Sequence, residues 1–299
     1  MIFDQNIKYP KITIVTPSFN QGAFLEETIL SIINQNYPNL EYIIIDGGSN
    51  DNSIEIIKKH QNNINYWVSE KDFGQSHAIN KGFAKATGEI LNWINSDDIL
   101  QPNSLFYVAN SYLGRVSDNV VLVGHGYEID ENSNFICERK VFTSNKNESE
   151  ISLNLNGNPI QQSIFFSKKL FSESGGINPL MKFTMDIDLH YKFGFLKPEI
   201  LIIDYFLASF RKHTNSKTIF QEHKMLLEKL NYIEFIKPYG KNRSHYENQI
   251  SFNSVGFSTK NINFKEKLKI VKIFIKNTPI CKRNLYKYRI IFVKLFQIS

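Results

Sequence analysis

The sequence predicts an α/β fold: a mostly parallel sheet flanked by helices over residues 1–217, followed by a basic, helical region over 218–299. Three observations predict it. Short β-branched runs alternate with apolar residues at helical spacing through the first hundred positions, the grammar of a parallel sheet. Those runs end in polar turns, at the edge where open α/β sheets bind ligands. The charge is also divided. From Lys260 to Ser299 there are eleven Lys or Arg against Glu266 alone, a net +10, which leaves about −4 for residues 1–259 of a chain whose formal charge is +6.

Taken in order, Ile12–Thr16 (ITIVT) reads as a buried strand that stops at Pro17, and Ser18–Gly22 as a polar break. Leu25, Ile29, Ile32 and Ile33 recur at helical spacing through residue 34. Tyr42–Ile45 is a second strand, closed by Asp46-Gly47-Gly48-Ser49. A helix over 51–59 and a strand over Ile64–Val68 follow. A helix over Gln75–Lys85 ends near Gly88, and Glu89–Ile94 is a strand running into Asn95-Ser96-Asp97-Asp98, a third polar turn at the same edge. Beyond it the pattern mixes helices over 104–113 and 186–195 with strands over 120–123, 164–166 and 200–203. Polar 143–150 reads as a loop, Gly175-Gly176 as a turn with positive φ, and the chain after 216 as mostly helical.

With 42% hydrophobic and 21% charged residues among 299, the composition is globular, and the length allows a full α/β core. Cys137 and Cys281 lie far apart without metal-ligand spacing, so both are expected to be reduced thiols. The opening MIFDQNIKYP lacks the basic-then-apolar character of a signal peptide, and no run reaches the roughly 18 apolar residues of a membrane span. The expected location is cytoplasmic. Lys265–Lys276 (KEKLKIVKIFIK) interleaves cations with Leu, Ile, Val and Phe. Such a segment suits an anionic membrane surface and would place the protein on the inner face of the plasma membrane. A helix packed on the catalytic part is the plainer alternative. Nucleic acid ranks lower, because the apolar content exceeds what phosphate contacts require.

Asp97 and Asp98 adjoin without a nearby cation, so their charges repel unless something positive sits beside them. A divalent ion does that, and its remaining positions suit a diphosphate. A helix cap ahead of Pro102 is the structural alternative, and the one that the pair by itself favours.

Four segments in order carry a resemblance that spans about Ile12 to Lys217. They are TIVTPSFNQGAFLEETILSIINQNYPNLEYIIIDGGSNDNS, SEKDFGQSHAINKGFAKATGEILNWINSDD, MKFTMDIDLHYKF and FRKHTNSKT. Together they resemble the inverting glycosyltransferases of family 2, with the Rossmann-like GT-A fold. The resemblance implies that Thr16, Pro17 and Phe19 line the nucleotide base pocket, that Asp46 accepts a hydrogen bond from the base, and that Asp72 lies in the donor pocket. It implies that Asp97 contacts the ribose and Asp98 binds Mn²⁺ or Mg²⁺. Asp186 becomes the general base, and His213 completes the metal or diphosphate site with help from Arg211. Gln161-Gln162 matches a segment that reaches a sugar, whereas His77, His125 and His190 are read as surface or satisfied core residues and Trp67 and Trp93 as core.

The sequence departs from the family's commonest pattern twice. Gly47 stands where a second acid often precedes the glycine, and Met185 where an acid precedes Asp186, which leaves Asp188 as a rival base. The implied function is transfer of a sugar from a nucleotide-diphosphate donor, uridine or thymidine by default, to a hydroxyl of a saccharide or lipid-linked saccharide, as in bacterial surface polysaccharide assembly. A nucleotidyltransferase would carry a basic, Gly-rich loop where Pro17-Ser18-Phe19-Asn20 stands. A non-catalytic binding module would lack one of Asp46, Asp98 and Asp186, and all three are present.

Overall fold

The computed structural model describes residues 8–142, 156–157, 159–214, 216 and 228. The expected loop at 143–150, the helices expected after 216, Cys281 and the basic region at 260–299 lie outside them. The chain divides into two compact units. The first, Met1–Leu180 with Met185–His213, contains a nine-stranded sheet. In the second, Met181–Thr184 with Thr214–Ser299, the Glu228 carboxylate accepts the backbone N–H groups of Lys182, Phe183 and Thr184 and the Thr184 hydroxyl.

The strands are β1 (Ile12–Ser18), β2 (Leu40–Asp46), β3 (Tyr66–Ser69), β4 (Ile90–Trp93), β5 (Ile99–Leu100), β6 (Val120–Ile129), β7 (Phe135–Arg139), β10 (Ile164–Ser167) and β11 (Glu199–Arg211), with a separate pair, β8 (Val141–Phe142) and β9 (Asn156–Gly157). The main sheet runs β3-β2-β1-β4-β10-β6-β11-β5, and β7 pairs with β6. Its helices are α1 (Gly22–Ile33), α2 (Ser53–Lys59), α3 (Gln75–Lys85), α4 (Ser104–Leu113), α5 (Lys168–Glu173) and α6 (Met185–Phe195).

β1 is buried along its whole length, as a strand covered by helices on both faces must be. Leu25, Ile29 and Ile32 give α1 its buried stripe. α3 lies close on β1 because position 82 is glycine; a Cβ there would stand 2.4 Å from Val15 Cγ1. Trp93, only 2% exposed, packs edge-on against Phe83 and Phe166, as expected of a core tryptophan.

Several boundaries differ from expectation. β1 does not stop at Pro17 but runs to Ser18. Val15 O accepts Ile94 N on the β4 side and Ser18 O accepts Gly47 N on the β2 side, so the nitrogen of Pro17 faces β4. The β4 ladder has already ended at Val15 opposite Trp93, and the missing N–H costs no ladder bond. The sheet is parallel through β3-β2-β1-β4 and between β6 and β11. β10 runs antiparallel to both its neighbours, as do β5 to β11 and β7 to β6, so half of the pairings are antiparallel. β6 and β11 extend to residues 129 and 211, well past their apolar runs, because each completes the other's ladder through two register shifts after Ile203. The short helix α5, absent from the sequence reading, starts at Ser167, whose hydroxyl accepts the Leu170 N–H. Gly175 and Gly176 have φ of 77° and 74°, as expected. Among the described residues no helix is long and apolar enough to cross a membrane.

Candidate active site

The carboxyl ends of β1, β2 and β4 deliver three polar turns. At the β2 turn, Asp46 is fully buried and accepts four hydrogen bonds from its own chain: the N–H groups of Gly48 (3.0 Å) and Ser49 (2.8 Å) and the hydroxyls of Ser49 (2.6 Å) and Ser69 (2.7 Å). A carboxylate offers about four acceptor positions, so Asp46 builds the turn. The expected hydrogen bond from a base to Asp46 therefore competes with donors already in place. Asp72 differs. It is half-buried, its Oδ1 accepts the Gly74 N–H at 2.7 Å, and its carboxylate lies over Gly47 beside Phe19, which is 58% exposed. Thr16 is buried, with its hydroxyl 3.1 Å from that of Tyr42, and Pro17 is buried within β1.

At the acidic turn the two aspartates separate in role. Asp98 has no exposed surface; its carboxylate accepts the Arg211 backbone N–H (2.9 Å), the Asn95 amide (2.9 Å) and the Gln162 amide. Burial and the neighbouring Asp97 charge push the Asp98 carboxyl well above the ordinary carboxylate range, against those three hydrogen bonds. Asp97 keeps 19% of its side chain exposed, and its Oδ2 stands 3.0 Å from His213 Nε2. The pair brought together is thus Asp97–His213, where the sequence pointed to Asp98–His213. Neither aspartate caps α4, whose cap position is Asn103. His213 is held from behind by Phe24, with ring centroids 4.6 Å apart.

Arg211 also differs from expectation. Only 1% of it is exposed. Its Nε donates to Asp97 O (2.8 Å), one terminal nitrogen donates to Asp130 O, Glu131 O and Ser133 Oγ, and the other reaches Glu27 Oε2 at 2.5 Å. Its guanidinium also faces the Phe24 ring, 5.1 Å from the centroid. These donors join α1, the acidic turn and the β6–β7 turn, and leave the guanidinium no open face for a diphosphate. Sequence reasoning missed the Asp130–Asn134 turn, in which Asp130 Oδ1 accepts the N–H groups of Asn132 and Asn134 and Ser133 sits at φ 66°. An Asp-x-Asn-x-Asn spacing was the available signal.

Gln161 and Gln162 serve the interior. Gln161 donates to Asn92 Oδ1 and Trp93 O, and Gln162 to Asp98. Asp186 lies half-buried in the first turn of α6. Asp188, the rival base, is buried and paired at 2.8 Å with Lys192, which also donates to Gly176 O. His125 is satisfied between the Val141 N–H and Asp204. His77 Nδ1 and His190 Nε2, by contrast, are enclosed without a hydrogen-bond partner among the described residues, and burial holds the His190 imidazole below its usual value.

Among the described residues, no group of three or more His, Cys, Asp or Glu is arranged to hold a metal ion. Asp97 and His213 supply one oxygen and one nitrogen donor side by side. Mg²⁺ and related ions are commonly held by one or two protein ligands with the rest of the shell from phosphate and water, and this pair fits that mode. The enclosed Asp98 does not.

A family model described as glycosyl transferase family 2 matches residues 13–175. An uncharacterized glycosyltransferase of Rickettsia prowazekii is 30% identical over 197 residues, 63% of this chain and 60% of that protein. Glycosyltransferase GlyG of Streptococcus pneumoniae serotype 4 is 33% identical over 123 residues, 40% of each. The chain spans about 60% of the length of the first of these relatives. Among solved structures, S. aureus TarS 1–349 in complex with UDP-GlcNAc superposes with a TM-score of 0.63 at 15% identity, over 90% of this chain and 82% of that one. Mannosyltransferase PcManGT from Pyrobaculum calidifontis, in complex with GDP-Man and Mn²⁺, gives 0.56 at 15%, over 96% and 87%. At these identities the likeness is one of fold, and that fold is GT-A.

Proposed function

Because the chain belongs to glycosyl transferase family 2, we propose that it transfers a glycosyl group, with inversion, from a nucleoside diphosphate sugar to an acceptor hydroxyl. The observation that carries this reading is the Asp97–His213 pair, an accessible carboxylate 3.0 Å from an imidazole at the carboxyl edge of the parallel strands. Phe19 and Asp72 take the nucleotide, Thr16 and Pro17, buried in β1, form the strand end beneath them, and Asp46 holds the turn beside them. Asp97 and His213 would hold a divalent cation, Mn²⁺ or Mg²⁺, which would supply charge neutralisation for a departing diphosphate. Asp98, Gln162 and Arg211 position that pair from within. Asp186 takes the proton of the attacking hydroxyl from a separate element, α6, while the Lys192 ion pair engages Asp188. The named neighbours that bind UDP-GlcNAc and GDP-Man support a nucleotide-sugar donor. The acceptor is a saccharide or lipid-linked saccharide.

Thermal-shift titration with nucleoside diphosphates, with and without Mn²⁺, tests this reading without an acceptor. A stabilisation that depends on Mn²⁺ and disappears in Asp97→Ala is expected. A folded sample that responds to no nucleoside diphosphate sinks the donor site. Asp186→Asn should bind donor as before and lose roughly 10²–10⁴ in turnover.

The eleven Lys or Arg among residues 260–299, interleaved with Ile, Leu and Phe, support docking on the cytoplasmic face of an anionic membrane. Full-length protein should then co-sediment with phosphatidylglycerol vesicles and not with neutral ones. Equal recovery with both rejects it.

A further inference from the structure

The β2 turn holds two adjacent glycines for different reasons. Gly48 has φ of 84°, a left-handed backbone that favours glycine. Gly47 is not among the residues with positive φ, so its backbone would accept a side chain. What stands in the way is occupied space. A Cβ built on Gly47 would lie 2.9 Å from Asp72 Oδ2 and 3.3 Å from Phe19 Cδ2. The carboxylate of a residue 25 positions later thus fills the room above Gly47, against the edge of an exposed aromatic ring.

We propose that Gly47 is a specificity-determining residue: by having no side chain it seats the Asp72 carboxylate beside Phe19, where that carboxylate selects nucleobases presenting a ring N–H. The inference rests on the donor-site reading above and adds the residue that decides which donor enters. Asp46, the other carboxylate of this turn, accepts four bonds from its own chain, whereas Asp72 Oδ2 accepts none from the described residues. A carboxylate is an acceptor only. Beside a base stacked on Phe19 it attracts the ring N–H of uracil, thymine or guanine. It opposes the bare ring nitrogen that cytosine and adenine present at the corresponding position.

Gly47→Ala is a mild probe, because the atom it meets first is the end of a flexible side chain; the fold should stay intact while the carboxylate moves. Dissociation constants of UDP, dTDP, GDP, CDP and ADP with Mn²⁺ would be measured by calorimetry for the unsubstituted protein, Gly47→Ala, Asp72→Ala and the double variant, each with its unfolding temperature as a control. We expect at least one of UDP, dTDP and GDP to bind about tenfold or more tightly than CDP and ADP, the size of one hydrogen bond to a charged group. Gly47→Ala should lose most of that preference, Asp72→Ala all of it, and the double variant no more than Asp72→Ala. Full affinity and preference in Gly47→Ala overturn the proposal. So does an equal loss when Gly47→Ala is added to Asp72→Ala, which would mean that the new methyl blocks the ligand directly. Preferential binding of CDP or ADP by the unsubstituted protein overturns the proposal and leaves the donor site standing. Binding of no nucleoside diphosphate at all overturns both.

Discussion

The β2 turn and the acidic turn after β4 use the same device in different ways. Each has one aspartate with no exposed surface, Asp46 and Asp98, and one accessible partner, Asp72 and Asp97. At the β2 turn, three of the four donors to Asp46 come from the next three residues and the fourth from Ser69 on the neighbouring strand. The donors to Asp98 include Asn95, three residues before it, but also Gln162 and Arg211, 64 and 113 residues away. The first turn is a local object that its own sequence can form. The second is an assembled object, and its geometry exists only once β10 and β11 are in place. A buried carboxylate in such a position is costly unless every donor arrives, so the acidic turn should be the more fragile of the two.

The largest effect is expected at the residue that does the assembling. Arg211→Ala removes the hydrogen bonds to three main-chain carbonyls, the ion pair with Glu27 and the contact with Phe24. A loss of about 4 kcal/mol in denaturant unfolding is expected, from unpaired buried acceptors together with the cavity. If Arg211 were instead a diphosphate ligand, stability would barely change and only nucleotide affinity would fall.

Next in size is the contrast inside the acidic turn. Asp98→Ala leaves the Asn95 and Gln162 amides and the Arg211 N–H without their acceptor, and about 3 kcal/mol is expected to be lost. Asp97→Ala, on the half of the pair that solvent reaches, should cost about 1 kcal/mol, one hydrogen bond to the buried His213 imidazole, and should remove Mn²⁺ binding. Manganese titration followed by electron paramagnetic resonance separates the two. Mn²⁺ affinity retained in Asp97→Ala and lost in a folded Asp98 variant would restore the assignment that the sequence had favoured.

The sheet edge and its three polar turns were legible in the sequence because strand ends and polar turns are local patterns. The helices at 75–85 and 104–113 fall where periodicity put them. Which aspartate of the pair is buried was not legible. Asp97 and Asp98 are chemically identical neighbours, and what distinguishes them is the arrival of Gln162 from the turn before β10 and of Arg211 from the end of β11. Arg211 reads as a site residue only through the family resemblance, which implies that it assists His213 at the metal or diphosphate site. Its counter-ion Glu27 lies 184 residues away, and no local pattern announces it. The extended ends of β6 and β11 were missed for a related reason: their pairing continues past Gly124 and Ile203 only through two register shifts, which no local pattern signals.

A third buried carboxylate away from these turns sharpens the comparison. Glu41 on β2 is 7% exposed and accepts hydrogen bonds from Thr13 and Thr87 hydroxyls and the Thr87 N–H, with Lys11 Nζ at 3.1 Å. Burial alone would raise its pKa, but those donors outweigh it and hold the carboxyl down to about 2, opposite in direction to Asp98. Because the folded-state value lies below the unfolded one of about 4.5, the stabilisation is fully present above pH 4.5 and drains away as pH falls toward 2. At neutral pH it should amount to about 2 kcal/mol. Glu41→Gln should lose that much at pH 7 and much less near pH 3, so the two unfolding curves converge on acidification. Parallel curves across that window would mean that Glu41 contributes by shape and neutral hydrogen bonding, and that its ionised form is not what the three donors hold.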